Sequence, residues 1–125
     1  MLGTRRELLE KIYLGEDSYL ELKEVRTVGD KIRGPEHSDL ADELAAFANS
    51  RGGVMVLGLR DQPREVIGIP VALLDAVEAL VRQACEDSIR PPLAPLIERI
   101  TLPDAGGAEL PVLRVDVPRS LFVHQ

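Results

Sequence analysis

The run from Ala45 to Ile69, AAFANSRGGVMVLGLRDQPREVIGI, restricts the fold more than any other part of the chain. Ala45, Phe47 and Ala48 close an apolar helical pattern, and polar Asn49, Ser50 and Arg51 lead into Gly52-Gly53. Glycine follows a helix end readily because it enters the left-handed conformation without a Cβ penalty. Val54 to Leu59 is then a nearly continuous apolar run, the pattern of a strand covered on both faces. Asp61-Gln62-Pro63-Arg64 reads as a turn, and Glu65 to Ile69 as the strand that returns from it.

The rest of the chain supplies elements to pack around that strand. Arg5 to Leu14 sets Leu8, Leu9, Ile12 and Tyr13 on one side of a short helix. Thr4 and Glu7 have the spacing of a capping box at its start. Ser18 to Val25 alternates, with Leu20 and Leu22 on one face and Tyr19, Glu21 and Lys23 on the other, so it reads as a half-buried strand. Thr27 to Glu36, with Gly29, Gly34 and Pro35, reads as a loop or irregular edge. Ser38 is the expected N-cap of a helix whose face carries Leu40, Leu44, Phe47 and Ala48. A second helix spans Val71 to Asp87, and Pro91-Pro92 stops it. Leu96 to Leu102 and Leu110 to Val117 are strands joined by a loop over Pro103 to Ala108. These elements predict one α+β domain, a two-layer arrangement of a mixed sheet with packed helices. Its core should hold Leu20, Leu22, Leu44, Phe47, Val54, Val56, Leu57, Leu80 and Val115.

At 125 residues, a single domain has room for a substantial core. The formal net charge of −6 excludes a general phosphate-binding surface, so any nucleic-acid contact must come from a local basic patch. Aromatic residues make up 3% and there is no Trp, which argues against reading single strands chiefly by base stacking. One cysteine excludes an internal disulfide framework and fits a reducing cytosol. No apolar run approaches the ~20 residues of a membrane span. The N-terminus, MLGTRRELLEKI, is charged and amphipathic, unlike a signal peptide. The expected location is the cytoplasm.

Three motifs carry a resemblance. AFANSRGGVMVLGLRD followed by EVIGI, the earlier Gly15-Glu16-Asp17-Ser18-Tyr19-Leu20-Glu21-Leu22-Lys23, and the late LPVLRVDVPRS at Leu110 to Ser120 resemble, in order, the motifs of the AlbA_2 domain, or Schlafen AlbA-like domain. The similarity runs from about Leu8 to Ser120. The family occurs in bacterial proteins described as transcriptional regulators or divergent ATP-binding proteins, and it forms the nuclease core of Schlafen proteins. Members continue past the point where this chain ends, so the resemblance implies that residues 1–125 are the N-terminal part of a longer protein with further C-terminal domains. In nuclease members the positions matching Glu16, Glu21 and Asp61 form a three-carboxylate site for a divalent metal. Mg²⁺ or Mn²⁺ suits such oxygen ligands, and could polarise a phosphodiester and activate water. Lys23, two residues after Glu21 on the same strand face, would stabilise charge on the scissile phosphate.

The cations form a second candidate set. Lys23, Arg26, Lys31 and Arg33 cluster around the first strand and its loop, and Arg51, Arg60 and Arg64 flank the glycine-motif strands. Gly52-Gly53 does not make a phosphate loop, because neither GxxxxGK[ST] nor GxGxxG is present. A helix cap is the better account of the glycines. Asn49 is expected to bond the turn. His37 and His124 lack a second ligand at metal spacing, and Cys85 sits with Val81 and Ala84 as a small core residue. The leading functional reading is a nucleic-acid-binding module of a bacterial-type transcriptional regulator, with weak, salt-dependent contact to DNA or RNA. The alternatives are a metal-dependent endonuclease (an RNase) using the three carboxylates, and an interaction or homodimerisation domain with no nucleic-acid role.

Overall fold

Thr4 opens the first helix as its spacing predicts. In the computed structural model, which describes residues 4–14, 19–121, 123 and 124, the Thr4 hydroxyl accepts the Glu7 N–H at 3.1 Å and donates to the Glu7 carboxylate at 3.0 Å. Helix α1 (Arg5–Leu14) follows. The alternating segment forms β1 (Leu20–Lys23), and the apolar run forms β4 (Gly53–Leu57). Between them lie β2 (Arg26–Val28), β3 (Lys31–Gly34) and helix α2 (His37–Asn49). After β4 come β5 (Leu59–Arg60), β6 (Glu65–Val66), a 3-10 turn (Val71–Leu73) and helix α3 (Leu74–Asp87). Strands β7 (Leu96–Pro103) and β8 (Glu109–Val117) complete the chain.

The main sheet has the order β1-β4-β8-β7. Strand β1 runs parallel to β4, and the other pairs are antiparallel, so the sheet is mixed. Alternation along β4 sends Met55 and Leu57 into a core shared with α2 and α3, while Val54 and Val56 enter a second core with Leu8 and Ile12 of α1. The expected packing of α2 and α3 on one sheet face is present, and α1 covers part of the other. An α+β fold with a mixed sheet is thus the architecture. Eight of the nine residues expected in the core are buried. Leu80 is half-buried, because Val77, Val81 and Ala84 take the centre of the α3 stripe.

The turn from α2 into β4 depends on glycine. Gly52 stands at φ 81°, and its N–H donates to the Phe47 carbonyl at 2.8 Å. A Cβ there would meet the Val117 carbonyl oxygen at 2.6 Å. A Cβ on Gly53 would enter the Phe47 ring. Both glycines therefore serve packing. The apolar run breaks at Gly58 (φ 112°), whose carbonyl accepts the N–H groups of Ile67 at 2.9 Å and Gly68 at 2.8 Å. That break separates β5 from β4.

Two local expectations are corrected. Most of residues 27–36, expected as a loop or irregular edge, belongs to the β2–β3 hairpin of residues 26–34, turned at Gly29 (φ 61°), because Ile32 packs against the main core and draws the segment into register. Ser38 is not the N-cap of α2. Glu36, extended at φ −78° and ψ 149° after Pro35, occupies that position without a side-chain cap bond.

Phe47 is 8% exposed and lies against Gly53. Phe47→Ala should lower unfolding free energy by roughly 3–5 kcal/mol, read by denaturant titration. An unchanged midpoint would contradict this packing. The Arg99 side chain of β7 hydrogen-bonds Glu78 of α3 at 3.1 Å, and Arg82 of α3 adds a second bond at 3.1 Å. These bonds hold the Glu78 carboxyl below its ordinary pKa of 4.5. A depressed carboxyl stabilises the fold above its unfolded pKa, and that contribution is lost as pH falls through the folded value. The loss of melting temperature on acidification below about pH 4.5 should therefore be smaller in Arg99→Gln than in the wild type.

Candidate nucleic-acid interface

The parallel pair β1 and β4 divides the predicted cations between two ends of the sheet. Arg51 precedes β4 at the end where both strands begin. Arg26, Lys31 and Arg33 follow β1 at the other end, as do Arg60 and Arg64 after β4. Four residues of strand at ~3.3 Å each separate the ends by about 13 Å. The seven residues therefore do not form one patch.

Three of the seven are matched by carboxylates. Lys23 is ion-paired to Glu43 of α2 and lies 4.0 Å from Glu21. Arg60 pairs with Glu24 at 3.5 Å and Glu65 at 3.4 Å. Arg64 approaches Asp61 at 4.0 Å. By contrast, Arg26, Lys31 and Arg33 are exposed and make no ion pair among the described residues. In the hairpin, Val28 stands opposite Lys31 and Thr27 opposite Ile32. Opposed residues share a face, so Val28, Lys31 and Arg33 lie on the side away from Ile32. Val28 is 63% exposed there. The Arg26 guanidinium lies over Gly34, where a Cβ would collide with it.

Glu16 lies outside the described residues. Glu21 sits in β1 opposite Met55, beside the Lys23 ammonium. Asp61 follows β5 in the turn, with its carboxylate toward Arg64. Among the described residues, no group of three His, Cys, Asp or Glu side chains could hold a metal ion. Glu21 and Asp61 each face a cationic side chain, so these two do not by themselves supply a Mg²⁺ or Mn²⁺ site.

Arg51 belongs to a different feature. It donates to the Tyr19 hydroxyl, and its guanidinium lies 5.9 Å from the Tyr19 ring centre. Both residues line a groove on the α1 side of the sheet, together with Lys11 and Arg119. Lys11 and Arg119 are absent from the sequence candidates. Lys11 stands on α1 with Arg5 and Arg6, Arg119 follows β8, and only the fold brings the two to Arg51.

Two further polar groups carry structure. Asn49 donates to the His124 carbonyl at 2.8 Å and accepts the His124 N–H at 2.7 Å. It clamps the C-terminal segment and does not bond the turn. The His124 ring, 6% exposed, meets Ser120 Oγ at 2.6 Å and the Pro91 carbonyl. The buried Cys85 thiol is pushed up to about 11 by desolvation, which suits a core residue and not a nucleophile.

The family model described as Schlafen, AlbA_2 matches residues 16–124. No curated protein matches the chain. The crystal structure of the DIP2311 protein from Corynebacterium diphtheriae is similar at a TM-score of 0.55 and 21% identity, over 94% of this chain. That likeness is one of fold, and the chain spans 22% of that protein's length. No helix among the described residues is long and apolar enough to cross a membrane.

The Asn49 clamp is testable. Asn49→Ala removes two bonds and leaves the buried His124 backbone unsatisfied, so stability should fall by about 1–3 kcal/mol in denaturant titration. Wild-type stability in this variant would show that the clamp contributes nothing.

Proposed function

The chain belongs to the Schlafen AlbA_2 family, and we propose that it is a nucleic-acid-binding module of a cytoplasmic, bacterial-type transcriptional regulator, contacting duplex DNA through the β2–β3 ribbon. One observation carries this reading: Arg26, Lys31 and Arg33 stand exposed, with no acidic partner among the described residues, on a two-stranded ribbon of an otherwise acidic domain. Residues 26–34 hold those three cations and one acid, Asp30, a balance of 3 − 1 = +2 against −6 for the whole chain. A field so divided turns the ribbon toward a polyanion and the rest of the domain away. The shape also fits, since a major groove about 12 Å wide admits a two-stranded β-ribbon. Exposed Val28 would meet sugar or thymine-methyl surface, while the cations meet phosphates.

The expected interaction is weak and steeply salt-dependent. Three phosphate contacts release about three counterions, giving a log–log salt slope near −2.7. Fluorescence anisotropy with a mixed-sequence duplex measures it. Lys31→Gln/Arg33→Gln should weaken binding and flatten the slope by about 1.8, with the melting temperature kept. Binding that ignores salt, or that survives unchanged in the double variant, would remove the ribbon as the contact surface.

A further inference from the structure

The groove around Tyr19 differs from the ribbon in place and in character. It lies at the end of the sheet where β4 begins and β8 ends, and encloses about 840 Å³. Small-molecule sites commonly fall between about 300 and 1,000 Å³. A lone anion needs far less.

Its charge is assembled from three separate segments. Lys11 comes from α1, Arg51 from the turn before β4, and Arg119 from the segment after β8. Among the described residues two acids also line the groove, of which Asp116 is paired with a cation. Asp116 is gripped by the Arg114 guanidinium at 2.9 and 3.0 Å, and Glu7 accepts the Thr4 hydroxyl at 3.0 Å. Arg51 and Arg119 make no ion pair among the described residues. With Asp116 neutralised by Arg114, the described charges at the groove are Lys11, Arg51 and Arg119 against Glu7, a balance that favours an anion.

Apolar and aromatic surface accompanies that charge. Tyr19 is one of only four aromatic residues in the chain, and it stands here, partly exposed, under a guanidinium. Leu96 is 62% exposed at the same groove, beside Pro118. The backbone of Gly52 and Gly53 also lines it, but their missing side chains make room for Val117 and Phe47. Recognition must therefore come from the side chains, without a phosphate-binding glycine loop.

We propose that this groove binds a nucleoside 5′-monophosphate unit, with its phosphate among Lys11, Arg51 and Arg119 and its base and sugar against Tyr19, Leu96 and Pro118. Paired guanidinium groups suit a phosphate because each presents a planar fork of donors. An aromatic ring with adjoining apolar surface suits a nucleobase, which stacks on such platforms. The unit is either a free nucleotide or the 5′ end of a strand. The inference stands on the groove, and not on the ribbon reading.

The test is a titration of ¹⁵N-labelled protein with adenosine 5′-monophosphate, adenosine, inorganic phosphate and a glutamate-rich peptide. The monophosphate should shift the amides of Tyr19, Arg51, Gly52 and Arg119, and bind at least about tenfold tighter than adenosine or phosphate, since each lacks one half of the contacts. Arg51→Gln/Arg119→Gln should weaken it by about tenfold or more while duplex binding through the ribbon persists. A short single strand with a 5′-phosphate, compared with its 5′-hydroxyl form, separates the two sources. Tighter binding of the phosphorylated strand than of the monophosphate assigns the groove to strand ends, and equal or weaker binding assigns it to free nucleotide. No shift at the groove, unchanged affinity in the double variant, or phosphate alone binding as tightly as the monophosphate would overturn the proposal. So would a glutamate-rich peptide that matches the monophosphate. Wild-type protein that binds the monophosphate at the groove but no duplex would count against the ribbon alone.

Discussion

Burial of β4 on both faces is the constraint from which the remaining architecture follows. Val54, Met55, Val56 and Leu57 are each 5% exposed or less. Each such side chain stabilises the fold by roughly 1.5–3 kcal/mol only while apolar partners cover it. Successive residues point to opposite faces, so no single layer can cover all four. Helices α2 and α3 take Met55 and Leu57, and α1 takes Val54 and Val56. Once β4 is fixed, its two ends are fixed too. Arg51 and Tyr19 come together at one, and the β2–β3 ribbon projects beyond the neighbouring strand at the other.

Much of this was legible in the chain because its signals are local. The Thr4–Glu7 box, the α2 stripe, the glycine turn and the apolar β4 run each declare themselves within a few residues. The unread parts depend on residues far apart in sequence. Strands β2 and β3 have only three and four residues, mostly polar, and become strands through their ladder and the seating of Ile32. Asn49 and His124 are 75 positions apart, and neither shows a pattern by itself. The same reason hid the groove, whose cations come from α1, a turn and the segment after β8. It also explains why seven cations gathered from sequence proximity separate in space. Lys23 finds its partner on α2, and Arg51 finds Tyr19 across the sheet end.

The acidic composition then gains a structural meaning. Carboxylates accompany cations over much of the surface: Arg5 with Glu109, Arg82 with Glu78, and Arg99 with both Asp75 and Glu78. Exposed pairs of this kind add little stability, about 0–1 kcal/mol each. Their larger effect is to cancel positive potential where they occur. The ribbon and the groove stand out because, among the described residues, cations outnumber the acids beside them, with only Asp30 within the ribbon and only Glu7 unpaired by a cation at the groove. In a chain of net charge −6, such places are where an anion can approach without meeting repulsion.

The sheet edges support the same division of labour. Strand β7 is a long edge of eight residues, and an unprotected edge of that length invites pairing with a second copy. Antiparallel self-pairing about a two-fold axis normal to the sheet keeps each residue on its own face. Opposed residues must then differ by an even number. A register centred on Glu98 sets it against its own copy, and one centred on Arg99 does the same for that arginine. Like charges directly opposed destabilise a strand pair. The Arg5 guanidinium also occupies the Thr101 carbonyl at 3.2 Å, and Pro95 and Pro103 bracket the strand with residues that cannot donate to a ladder. The opposite edge, β1, offers only four residues. With its edges blunted by charge, proline and brevity, the domain leaves the ribbon and the groove as its two most cationic openings, the surfaces on which the proposed phosphate contacts rest.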